Sequence, residues 1–135
     1  HGLLAAADCY VSPHRSEGLG LHLALAMWLG TPVIATRYGG VVDICDDTTA
    51  WLVDHDLVGV VDGGGVYPPG APWAAIRIDA LADAMRSVHD DPTERRRRVE
   101  RAHRRIADQP SRADFGRAYV RLLRTLTPSP RPTNR

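Results

Sequence analysis

Between residues 9 and 53 the chain alternates short runs suited to strands with one long apolar segment. Residues 9–12 form a β-type run closed by Pro13, and residues 32–36, PVIAT, form a second, rich in β-branched residues. Both predict buried strands. Residues 21–29 are apolar at nearly every position, too long for an ordinary strand, and Gly30 follows as a helix stop, so a helix is predicted there. Residues 50–53, ending at Asp54, predict a third strand after Gly39, Gly40 and a short helical turn over 41–45. Strands that alternate with helices predict a parallel α/β sheet.

Residues 55–78 change character, because GVVDGGGVYPPGAPW carries glycine and proline at a density that argues against regular structure. A long ordered surface loop is predicted, anchored by Tyr67, Trp73 and Ile76. Helices then follow. Asp79 reads as the N-cap of the first, whose apolar stripe is Leu81, Ala84, Met85 and Val88. Asp91 and Pro92 open the second, which is arginine-rich and has only Val99, Ala102 and Ile106 for an inner side. Ser111 and Asp114 resemble a capping box for the third, with Phe115, Tyr119, Leu122, Leu123 and Leu126 marking its expected buried side. The closing segment 127–135, TPSPRPTNR, reads as a disordered proline-rich tail.

A length of 135 residues with 44% hydrophobic residues matches one domain with a real core, here residues 1–126. Seventeen basic against sixteen acidic residues leave a formal charge of +1, which argues against nucleic acid as a partner. Every basic residue is arginine, so no lysine is present to serve as Schiff base, general base or phosphate ligand. Cys9, in a strand-like run, and Cys45, in a polar turn, read as structural thiols of a reduced, cytoplasmic protein. The arginine run 95–98 would suit an anionic membrane surface, but interspersed acids and the lack of aromatics favour a solvated helix face. The opening GLLAAADC reads as the middle of a domain, and the chain as a fragment.

The chemistry concentrates in SEGLGL, residues 16–21, between the first strand and the long helix. A strand that ends in a glycine loop opening a helix is where open α/β sheets bind ligands, because the first helical amides have no intrahelical partner. Gly18 and Gly20 let a ligand approach the backbone, and the helix N-terminus favours an anion. Glu17 adds a carboxylate that only accepts. Hydroxyls to donate and a phosphate to receive amide bonds are both properties of a nucleotide sugar. The plain alternative is that Glu17 is a solvated loop residue and the glycines merely make the turn.

The longer run SEGLGLHLALAMWLGTPVIAT, followed by the Gly39–Gly40 pair and WLVD, resembles the donor-binding segment of retaining GT-B glycosyltransferases of family 4. The family form is E-G-F-G-L, three variable residues, E-A-M and then G-x-P-V-I-A-T. Here the matching positions are Glu17, Gly18, Leu19, Gly20, Leu21, Ala26, Met27, Gly30 and Thr31 to Thr36. The resemblance implies a partial Rossmann-like parallel sheet with flanking helices, the C-terminal half of a GT-B fold, followed by C-terminal helices. It implies transfer of a hexose from a UDP- or GDP-sugar to an acceptor hydroxyl with retention of configuration. Glu17 would be the catalytic-site carboxylate that accepts from the donor sugar. Gly18, Leu19, Gly20, Leu21, His22 and Leu25 would line the donor site. No cofactor and no metal are implied, since basic side chains and helix amides serve the leaving diphosphate in this family.

The pattern departs at one place. Eight positions after Glu17, where the family has a second glutamate that holds the ribose, stands Leu25. Losing charge-assisted bonds there would cost about 1.5–3 kcal/mol. Asp43, after the glycine pair, is a candidate cleft residue from a different loop, with capping of its own turn as the alternative reading. His14 and His22, eight apart without a third ligand, make a poor metal pair. The expectation is a glycosyltransferase fragment whose N-terminal half is supplied elsewhere, by a separate chain if not by this one. The alternative is a non-catalytic donor-sensing or protein-interaction remnant of such an enzyme.

Overall fold

A computed structural model describes residues 2–61 and 64–126. The proline-rich segment 127–135 lies outside the described residues. In chain order the elements are α1 (Gly2–Ala6), β1 (Tyr10–Ser12), α2 (Leu21–Leu29), β2 (Val33–Thr36), α3 (Val41–Ile44) and β3 (Trp51–Val53). They continue with β4 (His55–Gly59), β5 (Pro72–Ile76), α4 (Ile78–Asp90), α5 (Pro92–Ala107) and α6 (Arg112–Leu126).

The three predicted strands pair in parallel in the order β1-β2-β3, with Val11 opposite Ile34 and Ala35 opposite Leu52. Central β2 is buried along its whole length because both its faces are covered. Val33 and Ala35 pack against Leu23, Ala26 and Met27 of α2, together with Val41, Cys45, Ala50 and Ala102. Ile34 faces the other way, onto Trp51, Val53 and Val88, with Leu81 and Ala84 of α4 behind them. Cys45, expected in a polar turn, is fully buried beside Met27, because α3 folds its last turn onto α2.

Gly30 ends α2 in the left-handed conformation at φ 78°, where its amide reaches the carbonyls of Ala26 and Met27. Asp91 caps α5 by accepting from the amides of Thr93 and Glu94, and the Ser111–Asp114 box closes at the start of α6. Between α2 and α5 the His103 ring stacks on Trp28 at 5.0 Å, and Arg98 of α5 lies 4.5 Å over Trp51 of β3 while donating to the Ala50 carbonyl.

Besides Cys45, the structure corrects four expectations from the sequence. Strand β1, expected to be buried, is only half-buried at each of its residues. Residues 55–78 are not an irregular loop: β4 and β5 form an antiparallel hairpin with His55 opposite Ile76 and Gly59 opposite Pro72. Helix α4 begins at Ile78, one residue before Asp79, without a side-chain cap, and Arg77 before it pairs with Asp56. The side of α6 expected to be buried is open, with Phe115 68% and Leu126 69% exposed. An amphipathic stripe requires a covering surface, and among the described residues nothing buries this one.

Candidate functional site

The C-terminal ends of β1 and β2 open into two loops that lie against each other. The first, residues 13–20, carries Glu17 and leads into α2. The second, residues 37–40, carries Gly39 and Gly40 and leads into α3. The Gly40 amide donates to the Glu17 carbonyl at 2.9 Å. The approach is so close that a Cβ on Gly40 would sit 2.0 Å from the Gly18 carbonyl oxygen, and one on Gly39 2.5 Å from that of Glu17. Gly39 is also left-handed, at φ 69°. The glycine pair is therefore what allows the two loops to touch.

The Glu17 side chain turns back onto its own loop. Its Oε1 accepts from the amide of Gly20 at 3.0 Å and from that of Leu19 at 3.3 Å. These two amide bonds hold its carboxyl below the usual glutamate range. Gly20, at φ 73°, supplies the N-cap position of α2 without a side-chain cap, so the Glu17 carboxylate stands at the positive end of that helix. Leu19 and Gly20, expected from the resemblance to line the donor site, thus have their amides engaged by Glu17 itself.

Of the other sequence-derived candidates, Gly18 is exposed with open space around its Cβ position, and His22 lies exposed in the first turn of α2. Leu19, Leu21 and Asp43 come together on the wall of a cavity of about 360 Å³, with Ala24, Ile44, Ile106 and Gln109. Leu25 is half-buried, one turn further along α2, and does not line that cavity. Asp43 sits on α3, and its carbonyl accepts from Arg105 at 3.2 Å.

Sequence reasoning missed four contributors to this region. His14 bridges Ser12 and the Tyr38 carbonyl. The hairpin edge joins the first loop where the Ala74 amide donates to the Arg15 carbonyl at 2.9 Å and the Arg15 guanidinium lies 5.6 Å from the Trp73 ring. Tyr38 packs its ring edge on His55. Arg37, directly after β2, is committed to Asp47 and Asp54 and to the Leu52 carbonyl. The signal for these contacts lay in the pairing of distant segments. Among the described residues no three metal-ligating side chains gather in one place.

Residues 1–63 match the family model described as Glycosyl transferases group 1. The likeness is to glycosyltransferases. The chain is 40% identical over 80 residues to a glycogen synthase of Dechloromonas aromatica, covering 56% of this chain and 16% of that protein. It is 35% identical over 95 residues to a D-inositol 3-phosphate glycosyltransferase of Arthrobacter sp., covering 70% of this chain and 18% of that protein. In three dimensions it superposes on sucrose-phosphate synthase from Thermosynechococcus elongatus with a TM-score of 0.65 and 26% identity. That match covers 92% of this chain and 26% of the other. The parallel sheet with flanking helices is thus similar to part of a GT-B glycosyltransferase, and the chain spans about a fifth of the curated relatives it matches.

Proposed function

We propose that residues 1–126 are part of the donor-binding domain of a retaining, family 4-like glycosyltransferase that moves a hexose from a nucleotide sugar to an acceptor hydroxyl. The observation that carries this reading is the Glu17 loop, held at the C-terminal end of β1 by Gly39 and Gly40 and opening directly into α2. Glu17 keeps Oε1 on the Gly20 and Leu19 amides, which orients the carboxylate, and its second oxygen accepts from the donor sugar's hydroxyls. The N-terminus of α2, at Leu21 and His22, receives the diphosphate. Leu25 stands where the ribose would lie and offers it no acceptor, so the donor is held weakly. The acceptor site and further cations for the diphosphate belong to a body outside these residues, in keeping with relatives several times longer. No metal or other cofactor enters this scheme.

The test is calorimetric titration of UDP- and GDP-sugars against the chain, Glu17→Ala and Leu25→Glu. Binding is expected to be weaker in the first variant and tighter in the second, each by about tenfold. Identical behaviour of all three would remove the proposed donor site. Leu25, apolar and half-buried, also favours a second reading, a module that senses the donor without transferring it. Donor binding with no release of nucleoside diphosphate, even with the rest of the enzyme present, would select that reading.

A further inference from the structure

We infer that His14 is a positioning residue for the Glu17 loop, an assignment that rests on reading this loop as the donor site. Its ring has three polar neighbours. Nε2 lies 3.0 Å from the Tyr38 carbonyl oxygen, and Nδ1 lies 3.1 Å from Ser12 Oγ and 3.2 Å from the Ser12 carbonyl oxygen. Both carbonyls only accept and a neutral ring has one N–H, so it can donate to only one of them. We assign that hydrogen to Nε2, which has the shorter contact, to Tyr38, and whose tautomer leaves Nδ1 free to take the Ser12 hydroxyl. In the neutral ring Nδ1 then accepts from the Ser12 hydroxyl. Ser12 ends β1, and Tyr38 lies two residues beyond the end of β2, so one side chain ties two neighbouring strand ends across the crevice.

The tie matters because Tyr38 leads directly into the glycine pair. Its carbonyl belongs to the peptide that enters Gly39, which is left-handed, and Gly40 next donates its amide to the Glu17 carbonyl. Turning the Tyr38 carbonyl would swing the Gly40 amide off Glu17, and Glu17 would lose the backbone anchor that sets where its carboxylate stands. The Tyr38 side chain is fixed separately, by its ring edge on His55 and by its hydroxyl 3.4 Å from the Pro72 carbonyl. The hairpin therefore holds the Tyr38 ring while His14 holds its peptide. Glutamine at position 14 can place an amide nitrogen where Nε2 stands, and alanine cannot.

The experiment uses the 135-residue chain and His14→Ala and His14→Gln. It measures hydrogen exchange at the Gly40 and Gly20 amides by NMR, thermal midpoints, and the affinity for UDP-glucose and GDP-glucose. Exchange at Gly40 is expected to quicken about tenfold in His14→Ala and to return most of the way in His14→Gln, while exchange in the β2 core stays unchanged. Donor affinity should change in the same order. Equal exchange at Gly40 in all three proteins overturns the role of His14, whatever the donor does. A uniform rise in exchange across the sheet also overturns it, in favour of a general packing role. If Gly40 behaves as expected but no nucleotide sugar binds the parent chain, the positioning of the loop stands and the donor reading falls.

Discussion

Gly40→Ala isolates the contact between the two loops. Gly40 has φ −63° and ψ −10°, a conformation that alanine adopts without strain, so any cost comes from the space its methyl would need. That space is occupied by backbone: the Gly18 carbonyl oxygen at 2.0 Å, its carbon at 2.7 Å and the Leu19 Cα at 3.2 Å. No rotamer change relieves a clash with main chain, so the loops must part. Overpacking of this kind costs about 1–3 kcal/mol, and parting the loops also forfeits the Gly40–Glu17 bond, net about 1 kcal/mol. A total of about 2–4 kcal/mol, at a urea slope of about 2 kcal/mol/M, lowers the unfolding midpoint by about 1–2 M. Gly116→Ala is the internal control. It lies inside exposed α6 with nothing within 4 Å of its Cβ position, and should gain about 0.5–1 kcal/mol from helix propensity. The assay is urea unfolding of the three chains side by side, followed by donor titration. A Gly40→Ala midpoint at or above that of the parent chain would refute the claim that backbone contact holds the Glu17 loop.

Glu17→Gln tests the carboxylate by pH. Amide bonds lower its folded pKa from the usual 4.5, so its contribution to stability is complete above pH 4.5 and is lost as pH falls through the folded value. The parent chain should therefore exceed Glu17→Gln in urea stability near neutrality and converge with it in acid, and a gap that persists unchanged would count against the amide bonds. Thr36, at the end of β2, is fully buried, and its hydroxyl has no hydrogen-bond partner among the described residues. Thr36→Val should therefore stabilise the chain by about 1 kcal/mol in the same assay, and a loss would mean that the hydroxyl has a partner. Asp91→Ala removes the cap of α5 and should cost about 1 kcal/mol, read from the same unfolding curves, with no effect on donor binding.

The parallel sheet was legible because its signals are local. Residues 9–12, 32–36 and 50–53 are short and largely apolar, the second of them rich in β-branched residues, and the first two flank a helical run ended by Gly30. The Asp91 cap and the Ser111–Asp114 box were legible for the same reason, since each is a bond between residues two or three apart. The hairpin was not. Gly64, Gly65, Pro68, Pro69 and Gly70 belong to the connection between its strands, whereas the strands exist because His55–Gly59 meets Pro72–Ile76, with partners 13 to 21 residues apart in sequence. At the site, the sequence singled out Glu17 and its glycines by spacing and resemblance. It carried no sign that the Glu17 carboxylate would bond the amides of Leu19 and Gly20, or that His14 would reach Tyr38.

The amino-acid sequence by itself determined the three parallel strands, the helix between the first two, the three helices that close the chain, the order in which these run, and the place of a glycine loop between β1 and α2. Those arise from periodicity, propensity and capping, which act over a few residues. Tertiary structure alone decided that the 37–40 loop lies against the Glu17 loop, that Asp43 lines one cavity with Leu19 and Leu21, and that the β4–β5 hairpin edges the site. It also decided that the apolar side of α6 stays open. An apolar stripe states only that a helix has a side to bury, and which surface covers it depends on packing between segments that no local pattern records.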